Sequence, residues 1–360
     1  MDFLGTSLGP AAGGIGGSAP AVSATYVNAE LAGAAGKIHV SPFCSVVEQF
    51  HAGVSGPLAG KVPVVQCETS PGIGHHHGWT VTLSDTAPQD LSTTQTSSYR
   101  PPAITKVVAR GVGSTGQDYL RGDESLLGTE GGQVVTITGR DFGNGSMHNV
   151  ISASYANNVE QGAYPKTYDA VDCRVLNETT ATCVTVPGVG AGHFWRVAVG
   201  DQLSGNVSSY LGSVGQASTS YAPPKVAKFY WTTFDLDGTE VDPADRVYRD
   251  SAGGIRLYPT GGESLVFEGT HFGPQEPSND FWTYFENTAI KGFGGSRFEP
   301  TCDMLTAHRK IRCTTPEGVG ENHTWELIVG NQSLVFEEDG DVRAFPSFCL
   351  FVCLSIFFVT

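Results

Sequence analysis

The sequence repeats itself, and this repetition limits the possible folds of the chain more than any other feature. Residues 67–79, 183–195 and 313–325 share one pattern: a cysteine, then a proline, then Gly-x-Gly, and finally His-x-Trp. A period of roughly 120 residues is too long for one unit of a solenoid and is the length of a small β-sandwich domain with an extra loop. The chain is therefore predicted to be a tandem array of similar domains.

Two further blocks recur in the same order along the chain. A Gly-Gly turn, an apolar strand pattern and a Phe-Gly turn occupy residues 131–143 and again residues 261–273. A Tyr-x-Pro-Pro segment opens residues 99–108 and again residues 221–230. Glycine and proline at these positions predict tight turns between short strands.

These blocks divide the chain into four segments. Residues 101–222 and 223–340 are predicted to be complete repeats, because each carries all the blocks in order. Residues 1–100 lack the Pro-Pro start and the Gly-Gly strand, so they are predicted to be an N-terminally truncated repeat, with Met1 falling inside the domain pattern. Residues 341–360 form a separate apolar tail.

Alternation of apolar residues predicts the secondary structure within each repeat. From the His-x-Trp tryptophan onward, every second residue is apolar, as in Trp195, Val197 and Val199. Val135 and Ile137 follow the same rule in the Gly-Gly block. A period of two with one apolar face is typical of a half-buried antiparallel strand. No stretch shows a convincing amphipathic helix, so the predicted fold class is all-β.

The ordered set of motifs resembles the IPT/TIG domain, an immunoglobulin-like domain of the early-set type. The motifs are Pro-Pro-x-Ile/Val, then Gly-Gly followed by an apolar strand and Phe-Gly, then two cysteines, a proline and Gly-x-Gly. The resemblance covers about residues 20–335, and such repeats occur in plexins and fibrocystin-type extracellular proteins. It implies a tandem array of immunoglobulin-like β-sandwich domains.

This resemblance implies a non-enzymatic extracellular or cell-surface protein that acts in adhesion, recognition or surface architecture by binding a protein or a glycan. Rigid domains in series would be joined at Pro101-Pro102 and Pro223-Pro224, where proline limits swivel. Two alternatives are an accessory module of a larger secreted enzyme and a TIG-type DNA-binding protein. The net charge of −15 argues against the last, because nucleic-acid backbones repel an acidic surface.

Six of the eight cysteines form three pairs that recur with the repeats. Two strands joined by a turn bring such residues to disulfide distance, which implies an oxidising compartment. The alternative is buried free thiols in a cytosolic protein. The absence of any Cys-x-x-Cys motif disfavours a zinc site. The predicted disulfide cysteines are Cys44 with Cys67, Cys173 with Cys183, and Cys302 with Cys313.

Five Asn-x-Ser/Thr sequences are candidate N-glycosylation sites, a mild excess that is consistent with secretion. Coincidence in a chain rich in serine and threonine is the alternative. The candidate acceptor residues are Asn144, Asn177, Asn206, Asn322 and Asn331.

A histidine cluster offers a second type of site. His75, His76 and His77 supply three imidazoles that could bind a transition metal. However, His77 recurs as His193 and His323, two residues before each strand tryptophan. This recurrence favours a structural role for His77 and leaves its two neighbours as loop residues.

An acidic segment offers a weak calcium site at Asp235, Asp237 and Asp242. It lacks the spacing of a twelve-residue calcium loop, and a solvated acidic loop is the alternative. No nucleophile elbow, His-Glu-x-x-His or phosphate-binding loop occurs, so neither catalysis nor a cofactor is predicted. The recurrent residues are instead predicted to be structural, above all Trp79, Trp195, Trp325, Gly143 and Gly273.

The tail at residues 345–360 carries no charged side chain. As a helix it would extend about 24 Å, which is shorter than the ~30 Å hydrocarbon core of a bilayer. A truncated membrane span, a cleaved lipid-anchor signal and translated non-coding sequence are three interpretations. Membrane attachment through this tail is therefore one prediction, and Cys349 and Cys353 are not expected to form a structural disulfide.

Overall fold

The computed structural model describes fifteen segments of the chain, and every structural statement below concerns them. They are residues 2–4, 21–28, 38–50, 61–84, 89–109, 125–144, 151–157, 166–204, 218–234, 240–241, 257–275, 281–286, 297–320, 323–333 and 335–336.

Every regular element in these segments is a β-strand, which confirms the all-β prediction. The first repeat contains β1 (Asp2–Leu4), β2 (Ala21–Val27), β3 (His39–Val40), β4 (Cys44–Phe50), β5 (Lys61–Cys67), β6 (His77–Ser84) and β7 (Gln89–Ser97). The second contains β8 (Ala103–Ala109), β9 (Leu126–Leu127), β10 (Val134–Arg140), β11 (Ile151–Asn157), β12 (Thr167–Asn177), β13 (Thr180–Val184), β14 (His193–Val199), β15 (Gln202–Leu203) and β16 (Ser218–Tyr221). The third contains β17 (Lys225–Phe234), β18 (Glu240–Val241), β19 (Ser264–Thr270), β20 (Phe281–Glu286), β21 (Thr301–Thr306), β22 (Lys310–Thr314), β23 (Thr324–Val329), β24 (Gln332–Ser333) and β25 (Val335–Phe336).

The first repeat is a sandwich of two sheets. One sheet has the strand order β1-β5-β4 and the other β3-β2-β6-β7. Tyr26 and Trp79 from one sheet and Val46 and Val65 from the other belong to the same buried cluster, so the two sheets enclose a core. β1 runs antiparallel to β5, with Phe3 opposite Val65, and thus takes the place that β10 takes beside β13 in the second repeat.

The second repeat has the strand order β8-β10-β13-β12-β11-β14-β16-β9, and β12 turns this order into two layers. The first half of β12 pairs with β11, and its second half pairs with β13. The pairing of β12 with β13 is irregular between Val171 and Arg174, and Asp172 there has a φ of 50°. Such irregularities bend a strand and let it pass from one sheet to the other. Ile137 and Trp195, from the two layers, share one core.

The third repeat again pairs two sheets around a core. Its larger sheet has the order β18-β17-β19-β22-β21, with β25 beside β17, and its smaller sheet has the order β20-β23-β24. Leu265 and Ile311 of the larger sheet pack with Phe285 and Trp325 of the smaller one. All three repeats are therefore immunoglobulin-like β-sandwiches in tandem.

The predicted alternation of side chains is confirmed on the strand that follows each His-x-Trp motif. Trp195, Val197 and Val199 are buried, as are their counterparts in the first and third repeats. In β10, Ile137 is buried whereas Val134 is 49% exposed. The period of two therefore separates the core face of each sheet from its solvent face.

Three disulfide bonds join Cys44 to Cys67, Cys173 to Cys183, and Cys302 to Cys313. Each bond connects two neighbouring strands of one sheet, for example β4 with β5 and β21 with β22. This differs from antibody domains, in which the disulfide joins the two sheets. Each bond closes a loop of 10 to 23 residues. A disulfide that closes a loop of this length stabilises the fold by about 2–4 kcal/mol.

Candidate functional site at the joints between repeats

A proline followed by Gly-x-Gly forms the same loop in every repeat, with one extra residue, Glu317, in the third. We call it the joint loop: residues 71–74, 187–190 and 316–320. Its last glycine has a positive φ of 95° at Gly74, 100° at Gly190 and 119° at Gly320. Side-chain-bearing residues rarely adopt this conformation, which explains the recurrence of glycine. At each of these glycines, the ring of the following motif histidine lies within 3.5 Å of where a Cβ would stand. The joint loop therefore rests on the histidine.

An aromatic stack lies in each core and contacts the motif histidine edge to face. Tyr26 stacks on Trp79 with ring centroids 4.2 Å apart, and Tyr155 stacks on Trp195 at 4.3 Å. Phe285 takes the same position on Trp325, at 4.4 Å. The indole N–H of Trp195 donates a hydrogen bond to Thr219 Oγ1 at 2.9 Å. The strand tryptophans are thus the centre of each core.

In the first two repeats, a tyrosine near the end of the repeat donates its hydroxyl to the carbonyl of the residue just before the joint loop, as Tyr99 does to Ser70. The hydroxyls of Tyr155 and Tyr221 lie 2.7 Å apart, and Tyr221 donates to the carbonyl of Val186 at 2.6 Å. Burial raises the pKa of Tyr221, and the neighbouring tyrosine adds to this effect. The backbone N–H of Tyr221 also donates to the carbonyl of Gly190 at 2.8 Å. The loop is therefore held in shape by its own repeat.

The motif histidine is buried in a neutral form. Desolvation by burial lowers the pKa of His193 to about 4, and the backbone carbonyls of Thr219 and Val189 only partly offset this. Burial lowers the pKa of His77 and His323 in the same direction. No carboxylate is among the causes of these shifts, so these histidines resemble packing groups more than acid–base groups.

We predict that the second repeat loses stability in mild acid. A histidine with a folded pKa near 4 and an unfolded pKa near 6.5 is neutral in both states above pH 6.5, whereas between pH 6.5 and 4 mainly the unfolded chain takes up the proton. The fold is therefore expected to lose stability, on the order of 3 kcal/mol, as the pH falls from 6.5 towards 4. Hydrogen exchange of β11 and β14 between pH 7 and pH 4, corrected for the intrinsic rate, measures the effect.

The variant His193→Gln cannot take up the proton, so its protection should change less with pH than that of the native chain. The matched control His76→Gln alters an exposed loop histidine and should keep the native pH dependence. An unchanged pH dependence in His193→Gln would contradict the prediction.

At the first joint, the joint loop of repeat one enters repeat two. Ile73 is only 7% exposed and belongs to the core cluster of the second repeat. A Cβ added to Gly200 would lie 2.9 Å from the backbone nitrogen of Gly74, so the two backbones touch and glycine is required. The side chain of Gln202 donates a hydrogen bond to the carbonyl of Tyr99 at 2.9 Å.

The second joint repeats these contacts one repeat further along the chain. Val189 is 5% exposed and belongs to the core cluster of the third repeat. A Cβ added to Gly330 would lie 2.6 Å from the backbone nitrogen of Gly190. Gln332 donates a hydrogen bond to the carbonyl of Tyr221 at 2.9 Å. Each joint is therefore made by a joint loop and by a Gly–Asp/Asn–Gln turn, which comprises residues 200–202 or 330–332.

Polar contacts flank the two joints, and these differ between them. At the first joint, Arg100 forms an ion pair with Asp141 at 3.1 Å. At the second joint, His308 Nδ1 lies 2.9 Å from Thr129 Oγ1, and Arg309 lies 3.5 Å from Glu130. Exposed ion pairs contribute little to stability. The features common to both joints are therefore the buried apolar side chain of the joint loop and the backbone contact between two glycines.

The joint loop is recognisable in the sequence, but its partner turn was not predicted. Gly200 and Gln202 follow Trp195 at the same spacing as Gly330 and Gln332 follow Trp325. That recurrence was the available signal, although nothing in it indicates a contact with another repeat. Gly273, which was predicted to be structural, also lies at the second joint, because a Cβ there would stand 2.3 Å from Val189 Cγ1. Gly143 has a positive φ of 81°, as its turn requires.

Three of the predicted glycosylation sites lie in the described residues. Asn144, Asn177 and Asn331 are exposed. Asn177 Oδ1 accepts hydrogen bonds from the backbone and hydroxyl groups of Thr179, each at 3.0 Å, so its amide nitrogen points away from this turn contact. The other two sites, Asn206 and Asn322, lie outside the described residues.

The three histidines that were candidate metal ligands are not brought together into a site. His75 and His76 pack edge to face just after the first joint loop, whereas His77 is buried. Within the described segments, no three His, Cys, Asp or Glu side chains could hold a metal ion. Asp235, Asp237 and Asp242 lie outside these segments, as do Cys349, Cys353 and the whole tail at 341–360. Of the part that is described, no helix is long and apolar enough to cross a membrane.

No protein-family model matches the chain, and no curated protein matches it. Among solved structures, the chain is similar to the extracellular region of plexin A4, domains 1 to 10, with 12% identity and a TM-score of 0.22. It is also similar to the FN1–FN3 domains of chicken CNTN1, with 7% identity and a TM-score of 0.20, and to invasin, a bacterial integrin-binding protein, with 11% identity and a TM-score of 0.21. These matches cover 83%, 87% and 88% of this chain.

The same matches cover 21% of the plexin A4 chain, 85% of the CNTN1 chain and 60% of the invasin chain. This chain therefore spans about a fifth of the plexin A4 extracellular region. TM-scores of this size carry no argument about function, and the sheets, cores and joints described above define the fold independently of them.

Proposed function

We propose that this chain is a non-enzymatic extracellular or cell-surface protein that acts in adhesion, recognition or surface architecture. Its IPT/TIG-like repeats, at residues 1–100, 101–222 and 223–340, would form a stiff array that presents loops and sheet faces to a protein or a glycan. The observation that carries the proposal is the recurrence of one joint design at both repeat boundaries.

The joints support this proposal because they oppose bending between neighbouring repeats. The backbone of Gly74 contacts that of Gly200, and the backbone of Gly190 contacts that of Gly330. A close-packed contact of this kind resists displacement more than a solvated linker does. A protein that presents surfaces at fixed spacing benefits from such joints, whereas a hinged enzyme needs freedom of motion at the boundary.

The disulfides and the charge support an extracellular location. Disulfide bonds persist in oxidising compartments and are rare in the cytosol. All three bonds lie at the same place in their repeats, between neighbouring strands that end near the joint loop. The net charge of −15 disfavours the DNA-binding alternative, since an acidic surface repels phosphate backbones.

The test is non-reducing peptide mapping by mass spectrometry on protein from its native source. We expect Cys173–Cys183 and Cys302–Cys313 to be bridged and Asn177 to carry a glycan. The matched control is Asn177→Gln, which should lose the mass of one glycan and keep both bridges. Free thiols at these four cysteines, with every Asn-x-Ser/Thr site unoccupied, would place the protein inside the cell and overturn the proposal.

A further inference from the structure

Among the described residues, no neighbouring repeat covers the joint loop of the third repeat. Val319 occupies the position of Ile73 and Val189, yet it is 72% exposed whereas they are 7% and 5% exposed. A single exposed valine is ordinary on a protein surface. The exposure of Val319 is informative because its two counterparts in the same motif are buried against a neighbouring repeat.

The third joint loop already has the shape of a joint. Gly320 has a φ of 119°, close to the 95° and 100° of Gly74 and Gly190. A Cβ placed on Gly74 would meet the carbonyl oxygen of Gly200 at 3.4 Å, and one placed on Gly190 would meet that of Gly330 at 3.3 Å. At Gly320 the ring of His323 is the only described group within 4 Å. The loop is therefore preformed, and the partner turn is what it lacks.

We propose that the joint loop at residues 316–320 docks another immunoglobulin-like repeat, which covers Val319 as the second and third repeats cover Ile73 and Val189. The occupant is defined by the two joints already present. It carries a Gly–Asp/Asn–Gln turn, whose glycine permits backbone contact and whose glutamine bonds to a backbone carbonyl. This inference goes beyond the proposed function, because it holds for any ligand that the array recognises.

A second copy of this chain does not supply the occupant. Both of its Gly–Asp/Asn–Gln turns, at residues 200–202 and 330–332, are already covered by its own joint loops. The first repeat has Ser84 at the sequence position of Gly200 and Gly330. Residues 341–360 contain no glycine, so the proposed occupant is a repeat that does not belong to these 360 residues.

The third repeat itself has every feature required of the occupant, so a duplicate of it serves as the probe. The extended chain consists of residues 1–342 followed by a second copy of residues 219–340, which includes the Tyr221-Ala-Pro-Pro junction near its start. Val319→Cys is introduced in the first copy only. The rate at which a thiol reagent labels position 319 is then read by peptide mapping in the extended chain and in the 360-residue chain.

We expect labelling at position 319 to be at least tenfold slower in the extended chain than in the 360-residue chain. The matched control carries Gly330→Asp in the added copy alone, which should restore the fast rate. The same peptide maps report the Cys302–Cys313 bridge of the added copy, so a folded repeat that fails to dock is distinguished from a misfolded one.

Two results would overturn the inference. One is an equal labelling rate in the two chains while the added copy is correctly bridged. The other is protection of position 319 in the 360-residue chain that grows with protein concentration, because a second copy would then cover the loop.

Discussion

Replacing Trp195 with alanine should destabilise the second repeat by about 3–5 kcal/mol, the range found when a large aromatic side chain is removed from a core. Trp195 is fully buried and stacks on Tyr155. Its loss leaves a cavity between the two layers and removes the hydrogen bond to Thr219. Hydrogen exchange of β11 and β14 in the whole chain measures this repeat separately from its neighbours.

The matched control is Trp282→Ala, which removes the same side chain from a position that is 41% exposed on β20. Its effect should be much smaller, since little packing is lost and no comparable cavity forms. If the two variants lower protection in their own repeats equally, Trp195 is not the centre of its core.

Replacing Val189 with aspartate should open the joint between the second and third repeats. Burying a valine side chain is worth about 1.5–3 kcal/mol, and burying an unpaired carboxylate costs several kcal/mol more. The polar contacts of His308 and Arg309 at this joint are partly exposed and are too weak to replace that loss. We expect the hydrogen-exchange rate of the turn at residues 330–332 to rise at least tenfold. The X-ray scattering of the variant should fit a broader range of maximum dimensions than that of the native chain.

Val319→Asp is the matched control for the joint variant, because it makes the same change at the same position of an exposed joint loop. It should leave both the exchange of residues 330–332 and the scattering profile unchanged. Both repeats should stay folded in the Val189→Asp variant, with the Cys173–Cys183 and Cys302–Cys313 bridges intact. A rigid joint in that variant would show that Val189 does not hold the repeats together.

Local features of the fold were predictable from the sequence because they depend on residues that are near one another in the chain. The alternation at Trp195, Val197 and Val199 follows from the pleat of one strand, and the cysteine pairs follow from two strands joined by a turn. Recurrence strengthened both predictions, since unrelated segments do not repeat a pattern by chance three times. The same recurrence indicated a structural role for the motif histidine.

The tertiary structure alone decided how strands are shared between layers and how repeats meet. The passage of β12 from one sheet to the other depends on its partners, because a strand pattern does not specify which sheet it joins. The contact of Gly190 with Gly330 joins two turns far apart in the sequence, each of which has an ordinary local reason to contain glycine. For the same reason, Ile73, Val189 and Val319 are equivalent in the sequence, and only packing against a neighbouring repeat separates the two buried residues from the exposed one.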